Sequence, residues 1–492
     1  MTSPLPFQNT YARLPERFFA PVRPTPVAAP TLLVLNRELS LELGFDPDWL
    51  ASDAGVATLA GKQIPEGAEP IAMAYAGHQF GNFVPQLGDG RAILLGEVLD
   101  RNGIRRDIQL KGAGRTPFSR NGDGRAALGP VLREYVLSEA MHQLGIPTTR
   151  ALAAVATGET VSRETHLPGA VLTRVALSHI RIGTFQLFAS RGDKDGLRLL
   201  AEYIIARHYP EVAYTDRPFR ALLEGIVSRQ AELVAKWLLV GFIHGVMNTD
   251  NVSVAGETID YGPCAFMDEY HPGTVFSSID QQGRYAYGNQ ARIAQWNLAR
   301  LAEAMLPLLG ESNEETVAEA EKAVGEFGAK VDTAYHAGMR KKLGLLTARD
   351  EDPALVAALL TAMAENNADF TLTFRRLSDA VLDPAGDSAV RPLFAHPSAY
   401  DGWVARWRAR IAEDVGGDSE RQAMMRSVNP TYIPRNHRVE AVINAATEQG
   451  DFGPFVEIME VLSHPYKDQP RFARYADPPR PEERVMQTFC GT

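Results

Sequence analysis

The stretch Gly241-Phe-Ile-His244-Gly-Val246-Met-Asn-Thr-Asp250-Asn251-Val-Ser-Val254, followed by Ile259-Asp260-Tyr261-Gly262-Pro263, decides how this chain of 492 residues is read. A short apolar run, Trp237 to Ile243, leads into His-Gly, and its length marks a buried element rather than a membrane span. Asn251 falls seven residues beyond His244, and Asp260-Tyr-Gly begins nine residues after Asn251. An amide oxygen and a carboxylate are ligand types that a hard divalent cation takes when phosphates and waters complete its shell. A loop using Asn and Asp only to cap its own turns would not need that order or spacing.

Upstream, the pattern is of short strands. Ile71 to Tyr75 is apolar, a glycine-punctuated loop follows, and Ala92 to Leu99 is apolar again. Asn102-Gly103 is a hairpin turn signal. Ile104 to Lys111 then alternates, with Ile108 and Leu110 on one face and Gln109 and Lys111 on the other. The loop before the second strand carries Gly88-Asp-Gly90-Arg91, a sequence able to bring backbone N–H groups and one charge close to phosphate. A second glycine-rich loop, Gly112 to Gly129, leads into a helix from about Pro130, with Val131, Leu132, Tyr135, Val136, Ala140 and Met141 in helical phase and Glu134 among them. Leu32 to Leu43 reads as helix and Val171 to Ile182 as strand. From Gly196 the chain is largely helical, including Phe219–Leu239, Ile293–Leu309 and Ser312–Leu343, with further helices to residue 465.

A glycine loop, a strand-ending lysine, a helix glutamate, a His-Gly loop with Asn, and Asp-x-Gly occur in the order used by protein kinases. There the lysine and glutamate hold the phosphates of a nucleotide. The order predicts an α+β chain with a protein-kinase-like two-lobed fold. Its parts are an irregular N-terminal extension over residues 1–70 packed on the core, a strand-rich N-lobe over 71–185, a larger helical C-lobe over 186–320 with the catalytic and metal loops, and a C-terminal helical extension over 321–492. One position departs. Two residues after His244, where a kinase places the aspartate that accepts the substrate's proton, stands Val246. Asp250 is the carboxylate left nearby. Three readings follow: a nucleotidyltransferase, a kinase with Asp250 as an atypical base, or a non-catalytic nucleotide-binding scaffold.

Composition narrows the class. The chain is 45% hydrophobic and 22% charged, as soluble globular proteins are. Its formal charge of -10 argues against a nucleic-acid surface. Two cysteines, Cys264 and Cys490, exclude a disulfide scaffold or a four-cysteine zinc site. No apolar run has membrane-spanning length, and the first thirty residues lack the continuous apolar region of a secretory signal. A cytoplasmic protein is expected, and, with no heptad seam, a monomer.

These residues resemble the SelO (YdiU) family of protein-kinase-like proteins. The matching text includes YAGHQFGNFVPQLGDGRA, QLKGAGRTPFSRNGDGRAALG, VLTRVALSHIRIGTFQ and GFIHGVMNTDNVSVAGETIDYGPCAFMD, and the resemblance is dense over residues 7–310. It implies transfer of AMP from ATP to Ser, Thr or Tyr hydroxyls of proteins, with ATP bound in the reverse of the kinase orientation. It implies nucleotide contacts from Gly88, Gly90, Arg91, Lys111, Asp123, Gly124, Arg174, Arg181 and Asp260. Glu134 would hold Lys111, Asn251 and Asp260 would bind Mg²⁺ or Mn²⁺, and Asp250 would be the proton acceptor. Without the resemblance, Arg174, Arg181 and Asp123 read as ordinary surface or ion-pair residues. Some family members carry a Cys-x-x-selenocysteine or cysteine redox tail. Cys490 has no second cysteine nearby, and Cys264 is its only intramolecular partner.

Overall fold

The structure is a computed structural model that describes residues 5–310 and 314–489. In chain order its strands are β1 (Phe19–Pro21), β2 (Thr31–Leu35), β3 (Ile71–Met73), β4 (Gly77–Gln79), β5 (Asn82–Val84), β6 (Ala92–Leu99), β7 (Arg105–Lys111), β8 (Ala126–Ala127), β9 (Arg150–Ser162), β10 (His166–Ala176), β11 (Phe242–Ile243) and β12 (Ala265–Phe266). Eight of them form an antiparallel sheet in the order β1-β3-β6-β7-β10-β9-β2, with β8 paired to β10. The turn between β6 and β7 is the expected one. Asp100 Oδ1 accepts from the amides of Asn102 and Ile104, both at 2.9 Å, and Gly103 takes φ 75°.

Each face of the sheet is covered differently. On one face Ile93, Leu95, Ile108, Leu110, Val155 and Val171 pack against Leu39, Leu43, Leu50 and Leu59. Residues 1–70 therefore supply two edge strands and the short helices Arg37–Glu42, Pro47–Leu50 and Asp53–Leu59, with more regular structure than their prolines suggested. On the other face lies the helix Leu128–Gln143, in which every residue from Val131 to Met141 is buried. Its far side is covered by the helices Asn436–Gln449 and Gly453–Leu462, with Tyr135 edge-on to Phe455 at 5.6 Å.

Two local readings are corrected. Leu32 to Leu43 is not one helix. β2 ends at Leu35, and Asn36 caps the next helix by accepting from Leu39 N at 3.0 Å. An apolar run of this length has no decisive period, and β9 offers β2 an edge. Likewise β10 stops at Ala176, and Ile182 opens the helix Ile182–Ser190. The expected helix start at Ser312 lies outside the described residues, and Glu314–Lys342 runs unbroken past residue 320.

The helices Ile182–Ser190, Lys194–His208, Pro218–Val240 and Gln290–Leu309 share one core with most of Glu314–Lys342. Asp352–Glu365, Phe370–Ala380, Pro397–Ala412 and Asp418–Val428 build a second core around Trp403 and Trp407. Gly241, with φ 73°, ends the helix Pro218–Val240 in the left-handed conformation and turns the chain into β11. Among the described residues no helix is long and apolar enough to cross a membrane.

Arg435 joins these layers. It is 1% exposed, pairs bidentately with Asp369 at 2.8 and 3.2 Å, pairs also with Asp268, and donates through Nε to Ala476 O at 3.0 Å. Removing one partner of such a cluster strands its carboxylates. Arg435→Met is expected to destabilise the fold by about 3–5 kcal/mol, read as an earlier midpoint in urea denaturation followed by circular dichroism.

Candidate active site

Strand register builds the first half of the site. On β7 and β10, Lys111 faces Leu172 and Gln109 faces Arg174, so Lys111, Gln109 and Arg174 project from one side of the sheet. The helix Leu128–Gln143 lies on that side and supplies Glu134. Lys111 Nζ sits 2.5 Å from Glu134 Oε2. Arg174, 1% exposed, donates to Glu134 Oε1 at 3.2 Å and through Nε and its second amine to Gln109 Oε1 at 3.1 and 2.6 Å.

Asp260 supplies the counter-charge. Its Oδ1 lies 2.6 Å from Arg174 and 3.2 Å from Lys111 Nζ, and its Oδ2 accepts from Arg181. Burial works to raise its pKa, but Arg181, Arg174 and Lys111 outweigh burial and hold the carboxyl well below the usual range. Asp260 does this from φ 63°, a backbone conformation that non-glycine residues hold only where surroundings enforce it. His244 contributes to that enforcement. Its Nε2–H donates to Ile259 O at 2.9 Å, tying the His-Gly turn to the residue before Asp260.

The second half is the loop around Asp250. Residues 180–182 run beside 252–254, through Ile182 N to Val252 O at 3.0 Å and Val254 N to Ile180 O at 3.1 Å. This pairing brings Arg181 to Asp250 O at 2.6 Å, while its guanidinium stacks on Tyr75 at 4.7 Å. Over the loop sits the β4–β5 hairpin. His78 N donates to Thr249 Oγ1 at 2.7 Å, Phe80 N to Asn248 Oδ1 at 3.0 Å, and Gln79 Nε2 to Asp250 Oδ2 at 3.0 Å. Asp250 Oδ1 is buried and has no hydrogen-bond partner. It rests against Gly77, where an added Cβ would lie 2.8 Å away, so a larger residue would displace the carboxyl. Burial pushes the Asp250 pKa up to about 6, against the opposing hydrogen bond from Gln79 and the charge of Arg181.

Every residue expected to contact nucleotide or metal, to accept the proton or to hold Lys111 lines one cavity of about 620 Å³. Gly88, Gly90 and Arg91 form one wall; Asp123 and Gly124 another; Lys111, Glu134, Arg174, Arg181, Asp250, Asn251 and Asp260 form the floor. Asp123 is at the exposed rim, where Arg163 holds it at 2.9 and 3.2 Å and keeps its pKa below the ordinary value. Val246 lines the cavity and is 8% exposed. Asn251 donates its amide nitrogen to Val246 O at 3.0 Å, which turns its amide oxygen away as a potential donor to a cation.

Sequence reasoning missed Gln79, Gln109 and Asp89. Asp89, 2% exposed, accepts from Met73 N at 3.2 Å and Gln109 Nε2 at 3.1 Å, and so braces the glycine loop against β7. Gln109 could have been found from its alternation with Lys111. Gln79 could not, because its partner is far along the chain. Chemically the site combines two buried arginines and the half-buried Lys111, able to face anionic phosphates, with oxygen donors on Asn251 and Asp260 and a poorly solvated carboxylate on Asp250.

Over residues 2–463 the chain matches the family described as "Protein adenylyltransferase SelO". It is 66% identical over 492 residues to the protein nucleotidyltransferase YdiU of Bradyrhizobium diazoefficiens, covering all of both chains. It is 65% identical over 487 residues to that of Rhodopseudomonas palustris, covering 99% of each. It is 65% identical over 498 residues to that of Methylorubrum extorquens, again covering all of both.

Asp260→Ala would leave Lys111 and Arg174 with Glu134 as their nearest counter-charge and Arg181 with Asp89 at 3.8 Å. The thermal midpoint of the ligand-free protein is expected to fall, reflecting a loss of about 3–5 kcal/mol. Inorganic pyrophosphate should raise that midpoint further in the variant than in the parent, because it replaces the missing negative charge. Differential scanning fluorimetry checks both.

Proposed function

Since this chain belongs to the SelO family and is thus a protein nucleotidyltransferase, we propose that it transfers AMP from ATP to a Ser, Thr or Tyr hydroxyl of an acceptor protein and releases pyrophosphate. The observation that carries the proposal is the convergence of Lys111, Arg174 and Arg181 on Asp260 at the floor of one cavity, beside Asp250. The antiparallel sheet, with Lys111 ending β7 and paired to Glu134 of the adjoining helix, supports a protein-kinase-like two-lobed fold. In that reading residues 71–185 form the N-lobe, 186–320 the C-lobe, and 1–70 and 321–492 are extensions.

In the reaction the acceptor oxygen attacks the α-phosphorus, the bond between that phosphorus and the bridging oxygen breaks, and the hydroxyl proton passes to Asp250. Val246 has no atom able to take that proton. Asp250 is buried, poorly solvated and oriented by Gln79, which suits a base. Lys111, Arg174 and Arg181 hold the departing phosphates and stabilise the charge that grows there. Gly88, Gly90 and Arg91 would lie along the phosphates, and Asp123 and Gly124 beside the nucleoside. Asn251 Oδ1 and the Asp260 carboxylate are hard oxygen donors and fit Mg²⁺ or Mn²⁺. Such an ion would neutralise triphosphate charge when bound.

With divalent metal, label from α-³²P-ATP is expected on protein, label from γ-³²P-ATP is not, and Asp260→Ala abolishes transfer. Label from the γ position alone would make this a kinase and overturn the proposal. Nucleotide binding by calorimetry with no transfer of either label would favour a scaffold. Gln79→Leu is expected to lower kcat about 10–100-fold, the worth of one hydrogen bond to a charged group, with little change in the KM for ATP. Initial rates with α-labelled ATP check this.

A further inference from the structure

The β4–β5 hairpin that orients Asp250 has a second flank. Gln79 reaches Asp250, and by strand alternation His78 points the other way. Its ring lies 5.0 Å from Phe83, which is 40% exposed, and edge-on at 5.3 Å to Trp296 of the helix Gln290–Leu309. Two guanidinium groups attend the same indole, Arg284 at 4.8 Å from the ring centre and Arg300 at 5.1 Å. At the hairpin turn an added Cβ on Gly81 would come 3.7 Å from the Arg284 guanidinium. Without that Cβ, the exposed turn leaves a low pass between the Asp250 side of the hairpin and Arg284.

Charge on this flank is out of balance. Arg300 pairs with Glu303 at 2.6 Å. Arg284 forms no ion pair among the described residues, and its Nε and Nη2 are buried without a hydrogen-bond partner. No other arginine among the described residues leaves two guanidinium nitrogens in that state. Asp280, the carboxylate nearest in sequence, is already engaged, accepting from the main-chain amides of Arg284 and Tyr285 at 2.9 and 2.7 Å. Stacking on an indole alone would not need a guanidinium, whose unpaired donors cost free energy that an arriving acceptor group would recover. The residue is half-exposed, and turning its Nε–Nη2 edge outward breaks no hydrogen bond that those nitrogens make.

We infer that Arg284, stacked on Trp296, binds an acidic side chain of the acceptor polypeptide a few residues from the hydroxyl that is modified. The inference rests on the nucleotidyl-transfer reading above for the identity of the ligand. A guanidinium held on an aromatic face offers a carboxylate two parallel donors. Its place relative to Asp250 is fixed by the neighbouring residue: Tyr285 donates its hydroxyl to Asn248 Oδ1 at 2.6 Å, the same oxygen that accepts from Phe80 N. Anchor, hairpin and base loop therefore form one unit. An extended strand advances about 3.3 Å per residue, so one that lays its hydroxyl at Asp250 and crosses the turn at Gly81 presents a side chain to Arg284 at a set spacing. Phe83 adds apolar contact beside it.

The test uses the full chain and short fluorescein-labelled peptides, each with one Ser, Thr or Tyr at the centre of an Ala-Gln background and a single Glu moved through the successive positions. With α-³²P-ATP, Glu at one spacing is expected to lower the peptide KM about tenfold relative to Gln there, as one partly screened charge-assisted hydrogen bond would. The preference should shrink in high salt. Arg284→Gln should bring the ratio of the two KM values to about one, with the KM for ATP unmoved, and Arg284→Glu should transfer the preference to a peptide with Lys at that spacing. If Arg284→Gln fails to fold by circular dichroism, Arg284→Lys decides, since it keeps the charge and loses the fork, and its ratio should fall between the two. No preference for Glu at any spacing overturns the inference, as does a preference that survives in the folded variants. A raised KM for ATP in Arg284→Gln also overturns it, by assigning the residue to the nucleotide. If neither protein nor peptide takes the α-label, the nucleotidyl-transfer reading fails. Fluorescence anisotropy of the same peptides then decides separately whether Arg284 holds an acidic strand: tighter binding of the Glu peptide that Arg284→Gln abolishes supports it, and equal binding overturns it.

Discussion

One carboxylate meets three cations inside the protein. Lys111 comes from the end of β7, Arg174 from β10, and Arg181 from the turn before a helix, and none has enough solvent around it to carry its charge unaided. Asp260 compensates them from a backbone conformation that the surrounding loop has to enforce. Glu134 shares the task from the helix behind the sheet. Sheet, helix and loop are thus tied at one point, and none can shift without exposing or stranding a buried charge. In the proposed reaction, an arriving phosphate would take over contacts that the protein already makes to itself.

The loop beside this point brings a carboxylate to the cavity although Val246 stands at the kinase aspartate's position. Val246 packs into the cavity wall, and the turn Thr249–Asn251 carries Asp250 to the same cavity. The β4–β5 hairpin then closes on it through main-chain and amide hydrogen bonds. In place of a loop open to water, the carboxyl gains a donor on one oxygen and a glycine wall against the other.

Much of this was legible from local sequence, and the limits follow from range. Lys111 and Glu134 could be read because strand alternation and helix phase are local patterns. The Asn251 and Asp260 spacing was local too. Arg174 needed the register of β10 against β7, a pairing between distant segments, and only resemblance to the family pointed to it. Gln79 contacts Asp250 across 171 positions of chain, and no window contains both. β9 was invisible for another reason: its alanines and Gly158 carry weak strand preference, and the strand exists because β10 and β2 hold it from both sides.

The helix Leu128–Gln143 has no face left for solvent, and its two coverings come from opposite ends of the chain. A ribosome delivers the sheet early and the helices Asn436–Gln449 and Gly453–Leu462 last. Until then one flank of the helix that presents Glu134 is bare apolar surface, and nothing fixes its height against Lys111. A nascent or truncated chain can therefore hold all the residues of the site in sequence without holding them in place. Assembly of the centre thus waits on the helices Asn436–Gln449 and Gly453–Leu462.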